Sequence, residues 1–457
     1  MDEQRGGTGV MNRVTRREAL RTGGAVLAAA AAGLNATTEA APAQESSGFF
    51  AAPPMETVRI GFVGIGGQGS VHVKNLLNIP GARLTALCDI VPEKVERAQG
   101  WVEAAGHPKP AAYTRGPRDF ERLCETEDLD LVYTATPWEW HVPVCLSAMH
   151  NGKHAATEVP AAMTLDDCWA LVEAAEKHQK HCLLMENCNY DRMEMMVFNM
   201  VRQGLFGELL HCEGGYLHDL RAIKFANEGE GLWRRAWASK VNANLYPTHG
   251  LGPLANCLDI NRGDRFDYLV SMASPSRGLQ LWAEEHFPAD APQRRERYVL
   301  GDMNTSLIKT ANGRTILVSH STNLPRPYSR IHMLQGTRGI FQGYPSRVYI
   351  EGRSKAEDRW DDAADWLAEY EHPLWKDTHA EDQREGHGGM DYLEDYRLIK
   401  CLREGAPTDM NVYDAAAISA VVHLSGQSIA KRSRPVDFPD FTRGSWKTNP
   451  KLDIVRG

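Results

Sequence analysis

Between residues 58 and 186 two apolar patterns alternate. Short runs rich in β-branched residues recur, first as Val58-Arg59-Ile60-Gly61-Phe62-Val63-Gly64 and then at 83–88, 129–135, 154–157 and 182–186. Such runs, bounded by turn residues, read as buried strands. Between them, at about 70–78, 92–105, 141–151 and 166–177, apolar residues recur at helical spacing. Strand and helix in strict alternation predict a parallel sheet covered on both faces.

From about Glu208 the pattern changes. Segments 209–216 and 267–271 read as strands, and 305–310 and 315–320 flank Asn312-Gly313, a strong hairpin signal. Short strands at 330–334, 340–342 and 348–350 follow without long crossover helices, which predicts a mostly antiparallel sheet. Helical patterns at 390–403 and 412–431 end the chain. The acidic stretch 356–370, with Trp360 and Trp366, reads as a solvated helix face, and no internal repeat is present.

Gly64-Ile65-Gly66-Gly67-Gln68-Gly69 follows the first strand at once and opens the first helix. Asp89 closes the second strand, 20 residues after Gly69. In that context the glycine spacing predicts a dinucleotide site. Gly64 makes the tight turn, Gly66 admits a pyrophosphate, Gly69 lets the helix pack closely, and the helix N-terminus favours the negative charge. The Asp89 carboxylate suits a free ribose 2′-hydroxyl and repels a 2′-phosphate, so NAD is expected over NADP. The fold class is therefore α/β: an N-terminal Rossmann domain at 57–187 and a C-terminal α/β domain with an open, mostly antiparallel sheet at 188–457. Thr136-Pro137-Trp138-Glu139-Trp140-His141, Glu158-Val159-Pro160 and Asn187 follow later strands, where such sheets bind ligands.

The first 56 residues add an address rather than fold. Thr15-Arg16-Arg17-Glu18-Ala19-Leu20-Arg21 is a twin-arginine pattern, Gly23 to Leu34 is short and apolar, and Ala41-Pro42-Ala43 fits a cleavage site. Residues 1–43 read as a twin-arginine signal peptide and 44–56 as a linker. The expected location is periplasmic or secreted, with the twin-arginine export machinery, which carries folded proteins, as a partner. A net charge of −8 without a long basic block leaves nucleic-acid binding without support. No apolar run approaches the roughly 20 residues of a membrane span. Nine cysteines, an odd number with no Cys-x-x-Cys, read as buried small hydrophobes rather than disulfides or a zinc site.

Asn244 to Pro253, NLYPTHGLGP, sets Tyr246, Thr248 and His249 among two prolines and two glycines that punctuate the backbone. By residue type alone His249 is equally a capping or core histidine and an acid–base centre. His211, His218, His320 and His332 lack metal-ligand spacing and read as structural or surface residues; no metal is expected. Tyr190 either faces a ligand or packs. His387 either helps shape a cleft or starts the helix that follows it.

The first half resembles the glucose–fructose oxidoreductase/inositol dehydrogenase superfamily, with Glu158-Val159-Pro160 where many members have Glu-Lys-Pro. Glu158-Val159-Pro160-Ala161-Ala162, Trp138 to His141, Asn199-Met200-Val201-Arg202-Gln203-Gly204, Asn244 to Pro253, Asn261 to Tyr268 and Gly386 to Tyr392 are together similar to glycoside hydrolase family 109. The similarity runs from about Thr57 to the C-terminal segment. It implies an NAD-dependent α-N-acetylgalactosaminidase acting on an N-acetylgalactosamine-containing glycan. It implies cofactor contacts at Gly67, Gln68, Asp89, Trp138, Glu139, Trp140, His141, Glu158, Val159 and Asn187, beside Gly64, Gly66 and Gly69. Sugar contacts are implied at Tyr216, Arg235, Tyr246, Pro247, Thr248, His249 and Tyr328. Of these, His249, Tyr246 and Tyr328 are the expected catalytic residues.

The family's chemistry removes hydride from carbon 3 of the sugar, eliminates the aglycone after loss of the carbon 2 proton, adds water, and returns the hydride. No net redox results. His249 would take the carbon 3 hydroxyl proton, and Tyr246 and Tyr328 would relay a proton or stabilise an enolate. The sequence leaves open which residue removes the carbon 2 proton, the anomer and the oligomeric state; superfamily members commonly pair through the second sheet, so a homo-oligomer is one outcome. Two other functions stay open: a sugar dehydrogenase of the same superfamily, and a non-catalytic sugar- or cofactor-binding protein.

Overall fold

The computed structural model describes residues 52–378, 386–452 and 454. The leader expected at 1–43 and most of the linker expected at 44–56 lie outside the described residues. The first half runs β1 (Val58–Val63), α1 (Gly67–Leu77), β2 (Ala82–Cys88), α2 (Pro92–Ala104), β3 (Ala111–Tyr113), α3 (Asp119–Thr126), β4 (Leu131–Thr134), α4 (Trp138–His150), β5 (His154–Thr157), α5 (Leu165–His178) and β6 (Cys182–Leu184). Its sheet has the order β3-β2-β1-β4-β5-β6, and every pairing is parallel. Strands β4, β5 and β6 are buried at every position, which is why they read as unbroken apolar runs. The strand order reverses between β1 and β4, so the loops after these two strands frame one crevice. Helix α4 starts at Trp138, earlier than the expected 141, because Pro137 serves as its N-cap and Trp138 to His141 form its first turn.

The second half runs α6 (Arg192–Arg202), β7 (Leu209–Leu217), α7 (Arg221–Lys224), α8 (Arg234–Lys240), α9 (Thr248–Cys257), β8 (Phe266–Ala273), α10 (Gly278–His286), β9 (Asn304–Thr310), β10 (Thr315–Ser321), β11 (Met333–Gly336), β12 (Gly339–Gln342), β13 (Arg347–Ile350), β14 (Asp361–Asp362), α11 (Leu367–Tyr370), α12 (Pro373–Thr378), α13 (Met390–Glu404), α14 (Val412–Ala430) and β15 (Val436–Asp437). The nine strands lie in the order β14-β13-β12-β11-β7-β10-β9-β8-β15. All pairs are antiparallel except β7 with β10, so the expected sheet is observed. Tyr268 and Met272 on β8 and Leu307 on β9 share an exposed face.

The stretch 356–370 is not a solvated helix. It forms β14, a 3-10 turn and the four-residue α11. Trp366 and Tyr370 turn inward, and the Trp366 indole donates to Asp361 at 3.3 Å. The acidic composition hid these two inward aromatics; only Trp360 is exposed, against Arg347.

Helices α13 and α14, the last α-helices among the described residues, return to the first sheet. His72 on α1 meets Asp395 on α13 at 2.9 Å, Leu184 N–H on β6 donates to Met410 O, and Ala161 N–H donates to Ser419 on α14. All nine cysteines are buried and unpaired. No helix among the described residues is long and apolar enough to cross a membrane.

Candidate active site

The glycine loop is closed on one side and open on the other. Gly64 has φ +89°, and a Cβ there would meet Ala135 O at 2.8 Å. A Cβ at Gly69 would lie 2.0 Å from Gly64 O. At Gly66 and Gly67 a Cβ would meet nothing within 4 Å. Helix α1 has no side-chain cap and no acid in its first turn, which leaves its N–H groups for an anion. Asp89 is buried and fixed, accepting from Ile65 N–H at 2.7 Å and from Val91 N–H at 2.9 Å; its remaining lone pairs are free for a ribose. A cradle open to a diphosphate beside a held carboxylate fits NAD.

The other expected cofactor residues divide into those that face the crevice and those that brace it. Glu139 is exposed, and Trp140 is half-buried, edge-on to Phe120. Trp138 is buried against Trp233. Both ring nitrogens of His141 point at backbone carbonyls, Pro160 O and Thr136 O, each at 2.8 Å. Its side chain thus ties the end of β4 to the turn after β5. Glu158 accepts at Oε2 from Val159 N–H and meets His72 Nε2 at 2.7 Å through Oε1. Gln68 lies 3.1 Å from the same His72 nitrogen, and Val159 is buried. Burial opposes a charge on His72, but Asp395 and Glu158 on its two nitrogens outweigh it and hold its pKa well above the ordinary value. Asn187 donates to Asp391 at 2.6 Å. His387 lies just before α13, whose N-cap is Gly389; its backbone N–H donates to the same Asp391 carboxylate at 3.0 Å and its ring is 2.9 Å from it.

The stretch NLYPTHGLGP runs into a helix, which takes up its residues from Thr248 on. Pro247 is the N-cap of α9, and Thr248, His249 and Gly250 form its first turn. Its glycines serve contact: a Cβ at Gly250 would strike Gly215 N at 2.1 Å, and one at Gly214 would strike Gly250 O at 2.1 Å. A Cβ at Gly252 would reach Glu186 at 2.7 Å. These absences let α9 lie directly on β7 and bring His249 to Glu186, just beyond β6.

His249 Nδ1 is 2.8 Å from Glu186 Oε1. Burial pushes the Glu186 pKa up, but the adjacent imidazole brings it below the ordinary value, so the carboxylate is ionised. An ionised carboxylate only accepts, so Nδ1 carries the hydrogen, and in the neutral imidazole Nε2 is the nitrogen that presents a lone pair. Among the described residues, Glu186, Cys188 and His249 also bring three potential metal donors together. The Cys188 thiol donates to Asn187 Oδ1 and burial raises its pKa well above the ordinary value, which makes it a poor ligand. The buried Thr248 side chain also helps to hold the Glu186 pKa down.

Aromatic rings wall the imidazole. Tyr246 is 4.8 Å and Tyr216 5.4 Å from it, both edge-on, while Tyr216 and Tyr246 are 4.6 Å apart. Tyr328 lies 6.1 Å from Tyr216, and its hydroxyl accepts from Arg330 at 3.3 Å. Arg330 is buried against Asp191 and Glu194; burial pushes the Glu194 pKa up to about 8. The arginine beside this wall is Arg234, not the expected Arg235. Arg234 is held by Glu230 and lies 5.1 Å from the rings of Trp138, Trp233 and Tyr246. Arg235 turns to Glu296 and Phe225, because successive helical residues point about 100° apart. Tyr190 packs, its hydroxyl donating to buried Asp409.

Sequence reasoning missed Glu186, Arg234, His72 and Asp395. Glu186 alone left a signal, an acid directly after a buried strand.

Residues 58–186 match the profile described as "Oxidoreductase family, NAD-binding Rossmann fold", which makes the first half an NAD-binding domain. Residues 190–448 match "Glycosyl hydrolase 109, C-terminal domain". The chain belongs to glycosyl hydrolase family 109, as the sequence motifs implied. It is 51% identical over 407 residues to a glycosyl hydrolase family 109 protein of Shewanella pealeana, covering 88% of this chain and 89% of that one. It is 47% identical to an alpha-N-acetylgalactosaminidase of Shewanella oneidensis, over 97% of this chain and all of that one (100%). A levoglucosan dehydrogenase in complex with NADH and levoglucosan shares the fold, with a TM-score of 0.64 at 19% identity, over 84% of this chain and 100% of that one.

Proposed function

We propose that the protein hydrolyses terminal N-acetylgalactosaminides, the alpha anomer favoured, through oxidation, elimination, water addition and reduction without net redox. The observation that carries this reading is the Glu186-held His249 on the aromatic wall beside the NAD cradle. NAD supplies reversible hydride exchange with carbon 3 of the sugar. His249 Nε2 takes the carbon 3 hydroxyl proton and returns it. Tyr246, Tyr216 and Tyr328 line the sugar, and Arg234 takes the positioning role expected of Arg235. Val159 stands where the superfamily has its lysine, so proton transfer falls to the second domain.

The test uses purified protein and a chromogenic N-acetylgalactosaminide in deuterated water. The phenol is released without added NAD, no reduced cofactor accumulates, and deuterium enters carbon 2 of the product. Stoichiometric reduced cofactor would favour the sugar dehydrogenase, and retention of the original carbon 2 hydrogen would rule out elimination. No turnover of any N-acetylhexosaminide would favour a binding protein.

We further propose export by the twin-arginine route, supported by the order of the features in residues 1–43. Replacing Arg16 and Arg17 together by lysine leaves the protein in the cytoplasm on fractionation. Unchanged export of that variant would refute the route.

A further inference from the structure

Tyr216 and His218 stand two residues apart at the end of β7, on one face of the chain. The Tyr216 hydroxyl is 3.1 Å from His218 Nδ1. The His218 ring is half-buried and stands edge-on to Tyr328 at 5.0 Å. Tyr216 also adjoins His249, so a phenol–imidazole pair lies next to the first imidazole.

The cycle proposed above needs such a pair. His249 has one free lone pair, since Glu186 occupies its other nitrogen. The carbon 3 hydroxyl proton fills that site until reduction, so the carbon 2 proton requires a different acceptor. Three phenols are near. Tyr328 already accepts from the Arg330 guanidinium. Tyr246 is buried against Trp138, Arg234 and Tyr216. Tyr216 is the one whose oxygen lies against a second imidazole.

We propose that Tyr216 and His218 are the second proton-handling couple of the site, an inference that rests on the hydrolytic reading above. With carbon 3 a ketone, the carbon 2–hydrogen bond breaks and its proton passes to the Tyr216 oxygen. The electron pair forms the carbon 1–carbon 2 double bond as the bond to the aglycone oxygen breaks. The Tyr216 hydroxyl proton moves to His218 Nδ1, leaving an imidazolium whose charge balances the departing oxyanion. Tyr216 is the catalytic residue, and His218 acts through it.

The charges around the couple set its resting protonation state. Burial pushes the Tyr216 pKa up to about 12, with Arg234 pulling it down, so the group is a phenol at neutral pH and needs an acceptor for its proton. Burial, Arg234 and His249 lower the His218 pKa, against Asp219 and Glu230 which raise it. Tyr328 completes the set that faces the ring. His218 is therefore neutral at rest and able to accept.

The experiment follows exchange of the carbon 2 hydrogen of a methyl N-acetylgalactosaminide with deuterated water by NMR, on NAD-loaded parent, His218→Gln and Tyr216→Phe proteins. Glutamine keeps an acceptor for the Tyr216 hydroxyl but takes no proton. Both variants are expected to exchange about a hundredfold more slowly, while the absorbance burst of cofactor reduction on mixing with sugar persists. His218→Gln exchanging within a few-fold of the parent overturns the couple, and so does loss of the burst together with exchange, which marks a structural role. A parent that hydrolyses without any carbon 2 exchange overturns the elimination route and the couple with it, whereas a parent that does not hydrolyse the sugar overturns the hydrolytic reading itself.

Discussion

Replacing His249 with alanine is expected to lower glycoside hydrolysis by about 10²- to 10⁴-fold, the contribution of a positioned acid–base group, while dinucleotide stays bound. The expectation rests on placement. Glu186 fixes the hydrogen on Nδ1, and Tyr216 and Tyr246 hold the ring edge-on, so Nε2 is the atom left to accept a proton. The side chain is 13% exposed, enough to meet a substrate and little enough to exclude bulk water. Glu186→Gln tests the same point differently. Its amide N–H can donate to Nδ1, which moves the imidazole hydrogen onto Nε2, where acceptance is needed. Turnover of a chromogenic N-acetylgalactosaminide measures both, with dinucleotide content after gel filtration as the control. Parent-like turnover of His249→Ala would remove this residue from the mechanism.

Gly69→Ala is expected to weaken NAD retention and lower thermal stability together. Its Cβ would fall 2.0 Å from the Gly64 carbonyl, so the loop must open. Overpacking of this kind costs about 1–3 kcal/mol, roughly a five- to hundredfold loss if it comes out of affinity. Gly66→Ala separates the two effects. Its Cβ meets nothing within 4 Å, so the melting temperature of cofactor-free protein holds. The methyl instead occupies the space a pyrophosphate needs, and retention still falls. Calorimetry and dinucleotide titration of the two proteins check the contrast. Full NAD retention by Gly69→Ala would mean that this turn does not form the cradle.

The first sheet was legible because its strands are buried on both faces and its helices on one, so the apolar period switches cleanly at each boundary. Elements with little apolar material escaped: β3 is a three-residue edge strand, and α3 mixes charges with a few buried residues. The second sheet was legible from its hairpin and short strands, but the helices that bring the site together were not. Gly250 and Gly252 looked like loop punctuation, whereas they mark where a helix touches a strand and a carboxylate. The arginine assignment failed by one residue because a sequence does not say which way a short helix is turned. Glu186 and His249 are 63 residues apart, and nothing local pairs them.

The return of α13 and α14 to the first sheet bears on the order in which the chain matures on the ribosome. The nascent first half emerges with His72 lacking Asp395, Asn187 lacking Asp391, and β6 lacking its bond to Met410. Those partners are translated 204 residues or more after the groups they meet. The nucleotide pocket is therefore completed only after residues 391–410 have been made, and a polypeptide released before residue 390 leaves α1 without the carboxylate that anchors it.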